Sequence, residues 1–237
     1  MLDNIIPENI LIIDIETVAA YADYTLVPDY LQKLWDHKAE FIHRQEDDTP
    51  ETLYERAGIY SEFGKVICIS AGFLKGQEFR IKSFFGDDEK EILEQFALLL
   101  DNYFNKPEKQ LCAHNGKEFD FPYLARRMMI NGIRIPEILS TSGKKPWETR
   151  HLDTMELGKF GDHKNYTSLD LLTVVLNISS PKDDISGADI FRTYWKEHDL
   201  PRIVTYCRKD VVAVLQVLMR FKGEPLISED RIVIVDS

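Results

Sequence analysis

Four acidic residues and one tyrosine, spread along the chain, have the types and spacings that could do chemistry. Asp14 and Glu16 close the apolar run Ile10-Leu-Ile-Ile-Asp-Ile-Glu-Thr17. Asp120 ends His114-Asn-Gly-Lys-Glu-Phe-Asp120, and Asp210 follows Tyr206 in Tyr206-Cys-Arg-Lys-Asp210. A carboxylate set into an aliphatic strand is costly to bury unless positive charge compensates it. Two unit charges about 4 Å apart interact by about 4 kcal/mol at an effective dielectric near 20. Converging carboxylates therefore repel strongly unless a cation sits among them. The economical expectation is a hard divalent metal, in a pair.

Each spacing has its own logic. Asp14 and Glu16 are two apart on a strand, so their side chains share a face and both can reach one metal. A solvated strand end is the plainer alternative. Asp120 falls at a strand-to-helix junction, where the helix dipole favours a carboxylate, so an N-cap role stands beside metal ligation. Asn115 offers both a donor and an acceptor, suited to orienting a base or a sugar. Phe119, Phe121 and Tyr123 surround that motif and could stack on a nucleobase for roughly 1–3 kcal/mol per base, although aromatics at this spacing more often form core. Tyr206 and Asp210 are neighbours on one helix face, and the following Val211-Val-Ala-Val214 puts Asp210 on the buried side. Tyrosine has a pKa of about 10, so Tyr206 is a poor base and better suited to orienting a water whose acidity a metal raises.

Other residues weigh less. Asp153, beside His151, reads as a strand-edge residue or an acid behind the site. Arg126, Arg127, Lys117 and Lys182 could meet phosphates, with a solvated helix face as the default. None of the six histidines forms a zinc spacing, and Gly72 and Gly76 lack any phosphate-cradling pattern. Cys68, Cys112 and Cys207 are odd in number and widely spaced, and read as reduced filler.

The elements that must position these groups follow from periodicity. Residues 10–16 read as a buried strand with the two acids at its C-terminal end. Residues 65–74 and 78–85 form a hairpin around 75–77. Asp87-Asp-Glu89 opens a helix of about four turns, with Ile92, Leu93, Phe96, Leu99 and Leu100 on one face. A short strand at 110–114, a helix from about 121 to Gly132 and a fifth strand at 151–157 follow. Residues 168–221 are helical in pattern, and 231–235 are a candidate tail strand. The stretch 19–62 is too long for a simple connection. Leaving directly from the first acids, it reads as a helical insertion, either a lid that clamps a strand end or a packed surface addition.

With 237 residues, 44% of them hydrophobic, the chain suits one globular domain over 1–237, with a short C-terminal tail at about 223–237. No signal-peptide pattern and no bilayer-length apolar run occur, so a soluble, cytoplasmic protein without a membrane partner is expected. A net charge of −11 argues against a protein that coats nucleic acid non-specifically. It leaves room for an enzyme that grips only a strand end.

Taken in order, Asp14-x-Glu16, Asn115 with Asp120, and Tyr206-x-x-x-Asp210 resemble the three motifs of the DEDD superfamily of 3′–5′ exonucleases. Tyr206 marks the tyrosine branch, because the position a histidine would fill is Thr205. The chain is most similar to the predicted exonucleases related to the proofreading domain of family-B DNA polymerases, over about residues 10–221. Supporting stretches include Phe63 to Ile69, Lys145-Pro-Trp147, His151 to Met155, Ser168 to Leu172 and Pro181 to Gly187. The resemblance implies a ribonuclease-H-like α/β fold, a mixed five-stranded sheet of three antiparallel strands and then parallel additions, flanked by helices. It implies that Asp14, Glu16, Asp120 and Asp210 hold two Mg²⁺ or Mn²⁺ ions, that Tyr206 positions the water, and that Thr17, Asn115, Phe119 and Lys182 meet substrate. The expected substrate is nucleic acid with a free 3′ end, DNA and single-stranded before RNA, with any replication or repair partner unidentified. An exoribonuclease with the same chemistry and an inactive nucleic-acid-binding scaffold are the alternatives.

Overall fold

The structure, a computed structural model, describes residues 2–43, 45–145, 148–162, 166–179 and 185–235. Its frame is a six-stranded sheet in the order β5-β4-β1-β2-β3-β6. Strand β1 (Ile10–Ala19) pairs antiparallel with β2 (Gly64–Lys75), which pairs antiparallel with β3 (Glu78–Phe85) across the tight turn at Gly76. Between β1 and β2 lie α1 (Asp29–Ile42) and the one-turn α2 (Pro50–Leu53). After β3 come α3 (Glu89–Leu99), β4 (Gln110–Ala113) and α4 (Asp120–Ile130), then β5 (Leu152–Asp153) and α5 (Thr154–Lys159). The chain ends with α6 (Leu169–Val175), α7 (Ile190–Trp195), α8 (Leu200–Lys222) and β6 (Ile232–Ile234). Strands β4 and β5 extend the sheet in parallel from β1, and β6 joins β3 in parallel at the other edge. This is the ribonuclease-H-like α/β layout.

Two sequence expectations need correction. The sheet has six strands rather than five, because residues 232–234 pair with Phe79, Arg80 and Ile81. Residues 151–157 are not a strand of that length. Only Leu152 and Asp153 pair with β4, and then the Asp153 side chain caps α5 by accepting the N–H groups of Met155 and Glu156 at 3.0 and 3.3 Å. A cap at that point turns the chain into a helix.

The period of two along β1 sorts the core. Leu11, Ile13 and Ile15 face α3 and α4, meeting Leu93, Phe96, Phe121 and Leu124. Ile10 and Ile12 face the other way, toward Val211, Val214 and Leu218 of α8. Asp14 and Glu16 continue the even series, so the alternation that builds the core delivers both acids to the α8 side. Gly72 lets α8 lie close against β2, since a Cβ there would come within 2.8 Å of Val211. A register shift between Glu16 and Thr17 leaves Ile67 as the extra residue of a β-bulge on β2, just beside the acids.

The stretch between β1 and β2 packs on a small aromatic centre of its own. Trp35 is fully buried, donates its indole N–H to the Pro50 carbonyl at 2.7 Å, and lies 5.2 Å from the Phe63 ring and 5.6 Å from that of Tyr54. The Tyr123 hydroxyl donates to the Gly58 carbonyl at 2.8 Å, and Trp195 donates to the Ala19 carbonyl at 3.0 Å, which seats this segment against α4 and α7. Among the described residues no helix is long and apolar enough to cross a membrane.

Candidate active site

Strand β1 outruns its neighbour. Pairing with β4 stops at Ile12–Cys112, so the edge of β1 beyond that point has open backbone groups. Asp120, at the first turn of α4, fills this gap: its carboxylate accepts the backbone N–H of Ile15, between the two acids, and its own N–H. The N-cap alternative is not met: the cap position of α4 is Phe119, no side chain caps the helix there, and Ile15 belongs to β1. From the opposite side α8 brings Asp210 and Tyr206, and the Tyr206 hydroxyl hydrogen-bonds Asp210. The four acids and the tyrosine thus come from β1, α4 and α8 to one place.

Electrostatics records the convergence. Burial pushes the Asp14 carboxyl well above the usual carboxylate range, and the charges of Asp210 and Asp120 push it further. Glu16 is raised by burial and then by Asp14. Asp120 is raised to about 7, first by burial, with Asp153 and Asp210 adding to it. Burial, then Asp210, Glu16 and Asp14, raise Tyr206, so its hydroxyl remains a proton donor. One oxygen, Asp14 Oδ2, is buried with no hydrogen-bond partner. Buried carboxylates that repel one another and leave a lone pair unmet fit a divalent cation, with oxygen donors suited to Mg²⁺ or Mn²⁺.

The tightest ligand group among the described residues is Asp14, Glu16 and Cys207, with one donor atom from each within 4.8 Å of the others. Asp120 and Asp210 do not join the trio at that spacing. Cys207 is therefore more than filler. Its Sγ donates to the Asp14 carbonyl at 3.4 Å, it hydrogen-bonds Cys68, and the two thiols form the floor beneath the acids. All three cysteines are free and buried. The signal was present in the sequence, since Cys207 lies three residues before Asp210 and so shares its helix face.

The remaining candidates divide. Asn115 sits at φ 63°, half-buried, and lines a cavity of about 700 Å³ with Lys117, Lys144, Lys159 and Tyr166. Thr17 donates its hydroxyl to Tyr123, on the side of β1 away from Asp14 and Glu16, and the Phe119 ring lies 5.3 Å from that of Tyr123. Both are held by the fold around Tyr123. Lys182 lies outside the described residues. Lys117 pairs with Glu156, Arg126 is exposed, and Arg127 is neither a phosphate contact nor solvated: it is buried against Glu89.

Asp153 emerges as the residue that shapes the Asn115 turn. Besides capping α5, it accepts the backbone N–H of Asn115 at 2.9 Å and of Lys117 at 3.1 Å while 4% exposed. That turn launches Asp120. Asp153→Ala would strand both N–H groups and remove the cap, costing about 2–4 kcal/mol. Thermal melts should show the loss. Well below the new midpoint, any nuclease rate should still fall at least about tenfold, because a small misplacement of Asp120 is expensive.

A mixed sheet of this strand order, with acids gathered where its first strand outruns β4, is the ribonuclease-H-like fold. A family model described as a predicted 3′-5′ exonuclease related to the exonuclease domain of PolB matches residues 59–225. That is more than two thirds of the chain, and the chain belongs to this family. The matched stretch contains Asp120, Tyr206 and Asp210, while β1 with Asp14 and Glu16 lies before it.

Proposed function

We propose that this protein removes mononucleotides from the 3′ end of DNA, single-stranded in preference, by metal-dependent phosphodiester hydrolysis. The observation that carries this reading is an unpartnered buried oxygen of Asp14 beside Glu16, with Asp210 and Asp120 near enough to raise the Asp14 carboxyl further. DNA is favoured because the family is related to the exonuclease domain of PolB.

Asp14, Glu16, Asp120 and Asp210 would hold two Mg²⁺ or Mn²⁺ ions. Bound there, the ions supply Lewis acidity that eases deprotonation of the attacking water and offsets charge developing on the phosphate. Tyr206 keeps its proton, takes its orientation from Asp210 and presents its hydroxyl to the attacking water. Asn115 meets the terminal nucleotide from the mouth of the neighbouring cavity, together with Thr17 and Phe119, which their contacts with Tyr123 hold in place. Lys182 is proposed as a phosphate contact from its sequence position alone.

The test uses DNA and RNA oligonucleotides of matched sequence, single and double, labelled at the 5′ end. Stepwise loss of mononucleotides from the 3′ end of DNA is expected with Mg²⁺ or Mn²⁺, and none with chelator. Faster trimming of RNA would transfer the assignment to an exoribonuclease. Binding without shortening of either polymer in both metals would overturn the enzymatic reading. Tyr206→Phe should lower kcat about 10- to 100-fold while leaving the metal concentration for half-maximal rate unchanged. A large shift in that concentration would instead make Tyr206 part of the metal cage.

A further inference from the structure

Helix α1 carries two apolar stripes where a helix packed on one side needs one. Leu31, Trp35, Ala39 and Ile42 face inward and close the Trp35 centre. Tyr30, Leu34, His37 and Phe41 recur at intervals of four, three and four, which is the seam spacing of paired helices. They point outward: Tyr30 is 72%, Leu34 59% and Phe41 74% exposed, and the His37 ring lies 5.0 Å from that of Phe41. Single exposed apolar residues are ordinary, but a run in register along a helix of about 21 Å is a continuous seam.

We propose that this seam pairs two copies of the chain, α1 against α1, antiparallel, about a two-fold axis between Leu34 and His37. Charge selects both the partner and the direction. One flank of the seam carries Lys33 and Glu40, both exposed. In an antiparallel pair that flank meets itself reversed, so Lys33 of each copy faces Glu40 of the other, twice by symmetry. Glu40 also lies 3.4 Å from His37 on its own helix, with both side chains open to solvent. A parallel pair would set Lys33 against Lys38 across the seam, like against like. In the antiparallel arrangement Leu34 packs on His37 and Tyr30 on Phe41 of the second copy. One helix face falls short of the roughly 800 Å² per partner of standard complexes, so the dimer is reversible and micromolar. None of the acids or Tyr206 lies on α1, and the pairing stands independently of the nuclease reading.

Sedimentation velocity on the full chain from about 1 to 200 µM, spanning the dissociation constants expected of such a contact, tests it. The 27.5 kDa monomer should give way to a species of twice that mass as concentration rises. Lys33→Glu should weaken pairing at least about tenfold, since attraction becomes repulsion in both symmetric pairs. Adding Glu40→Lys to the same chain should restore it. Leu34→Glu should abolish pairing with the melting profile and helical content unchanged. A monomer across the whole range would overturn the proposal, as would a dimer indifferent to Leu34→Glu and to the charge exchange.

Discussion

Asp14→Asn is expected to reduce metal-dependent shortening of a 3′ end by about 10³-fold or more, and yet to raise the melting temperature of the metal-free protein. The two effects share one cause. Asp14 is raised first by burial and then by Asp210 and Asp120, and its Oδ2 has no partner. Without a cation the folded state bears the repulsion. An amide of the same shape removes the charge and keeps the packing. Relief of that kind is worth about 1–2 kcal/mol, or about 2–8 °C for a chain of this size. The rate loss follows from removing a ligand to ions whose charge stabilisation is worth several kcal/mol, with each 1.4 kcal/mol worth about tenfold. Oligonucleotide assays and melts of the same preparation check both. A variant that loses activity and also melts lower would show that Asp14 supports the fold, against the reading of a strained cage.

The pH dependence has a definite sign. Asp120 rises from 3.8 to about 7 on folding, and Asp14 and Glu16 are raised with it. The folded protein therefore holds protons that the unfolded chain has released. This contribution to stability is fully present below about pH 4 and is lost as the pH rises through about 7. His151 works in the opposite sense. Its Nδ1 accepts the Leu111 N–H at 3.3 Å and its Nε2–H donates to the Ile138 carbonyl at 2.8 Å, which fixes the neutral ring. Burial lowers it from 6.5 to about 4, so its contribution is lost as the pH falls through that range. Divalent ions bind the deprotonated carboxylates. The rise in melting temperature on adding Mn²⁺ should therefore be larger at pH 8 than at pH 5.5, and an equal rise at both would remove the carboxylate cage from the account.

The acids were legible because local periodicities fix them. A strand alternates, so Asp14 and Glu16 had to share a face, and a helix repeats near four, so Tyr206 had to neighbour Asp210. What escaped depends on partners distant in sequence. Residues 151–157 read as a strand because a short apolar run does not separate strand from helix, and Asp153 breaks it only through its side-chain cap. The tail strand at 231–235 was expected, but not its place in the sheet: residues 232–234 join β3 in parallel, a partner that their own sequence does not name. Thr17 and Phe119 adjoin the acid motifs in sequence, and the contacts both make with Tyr123 are a further feature that local spacing does not show. Arg127 read as a solvated residue or a phosphate contact because its partner, Glu89, lies 38 residues earlier.

That pair supports the second large prediction: Arg127→Met should cost about 3–5 kcal/mol, the penalty for leaving one member of a buried ion pair alone. Glu89 is 8% exposed and Arg127 9%. Glu89 Oε1 accepts the Val66 N–H at 2.7 Å and Arg127 Nε at 2.8 Å, while Oε2 accepts Arg127 Nη2 and, at 3.0 Å, Asn131 Nδ2. Arg127 Nη1 reaches the Ser61 carbonyl at 2.8 Å. One ion pair thus ties the start of α3, the middle of α4, the end of the long insertion and the part of β2 that pairs with Thr17 beside the acids. Removing the arginine leaves a buried carboxylate with two neutral donors against a large desolvation cost. Adding Glu89→Leu removes that charge too, so the double variant should be more stable than Arg127→Met alone, although Val66 and Ser61 then lack partners. Urea titrations of the wild type, both single variants and the double variant close the cycle. Strictly additive losses would show that the two side chains contribute separately, and that charge burial is not what couples α3 and α4 to the end of β1.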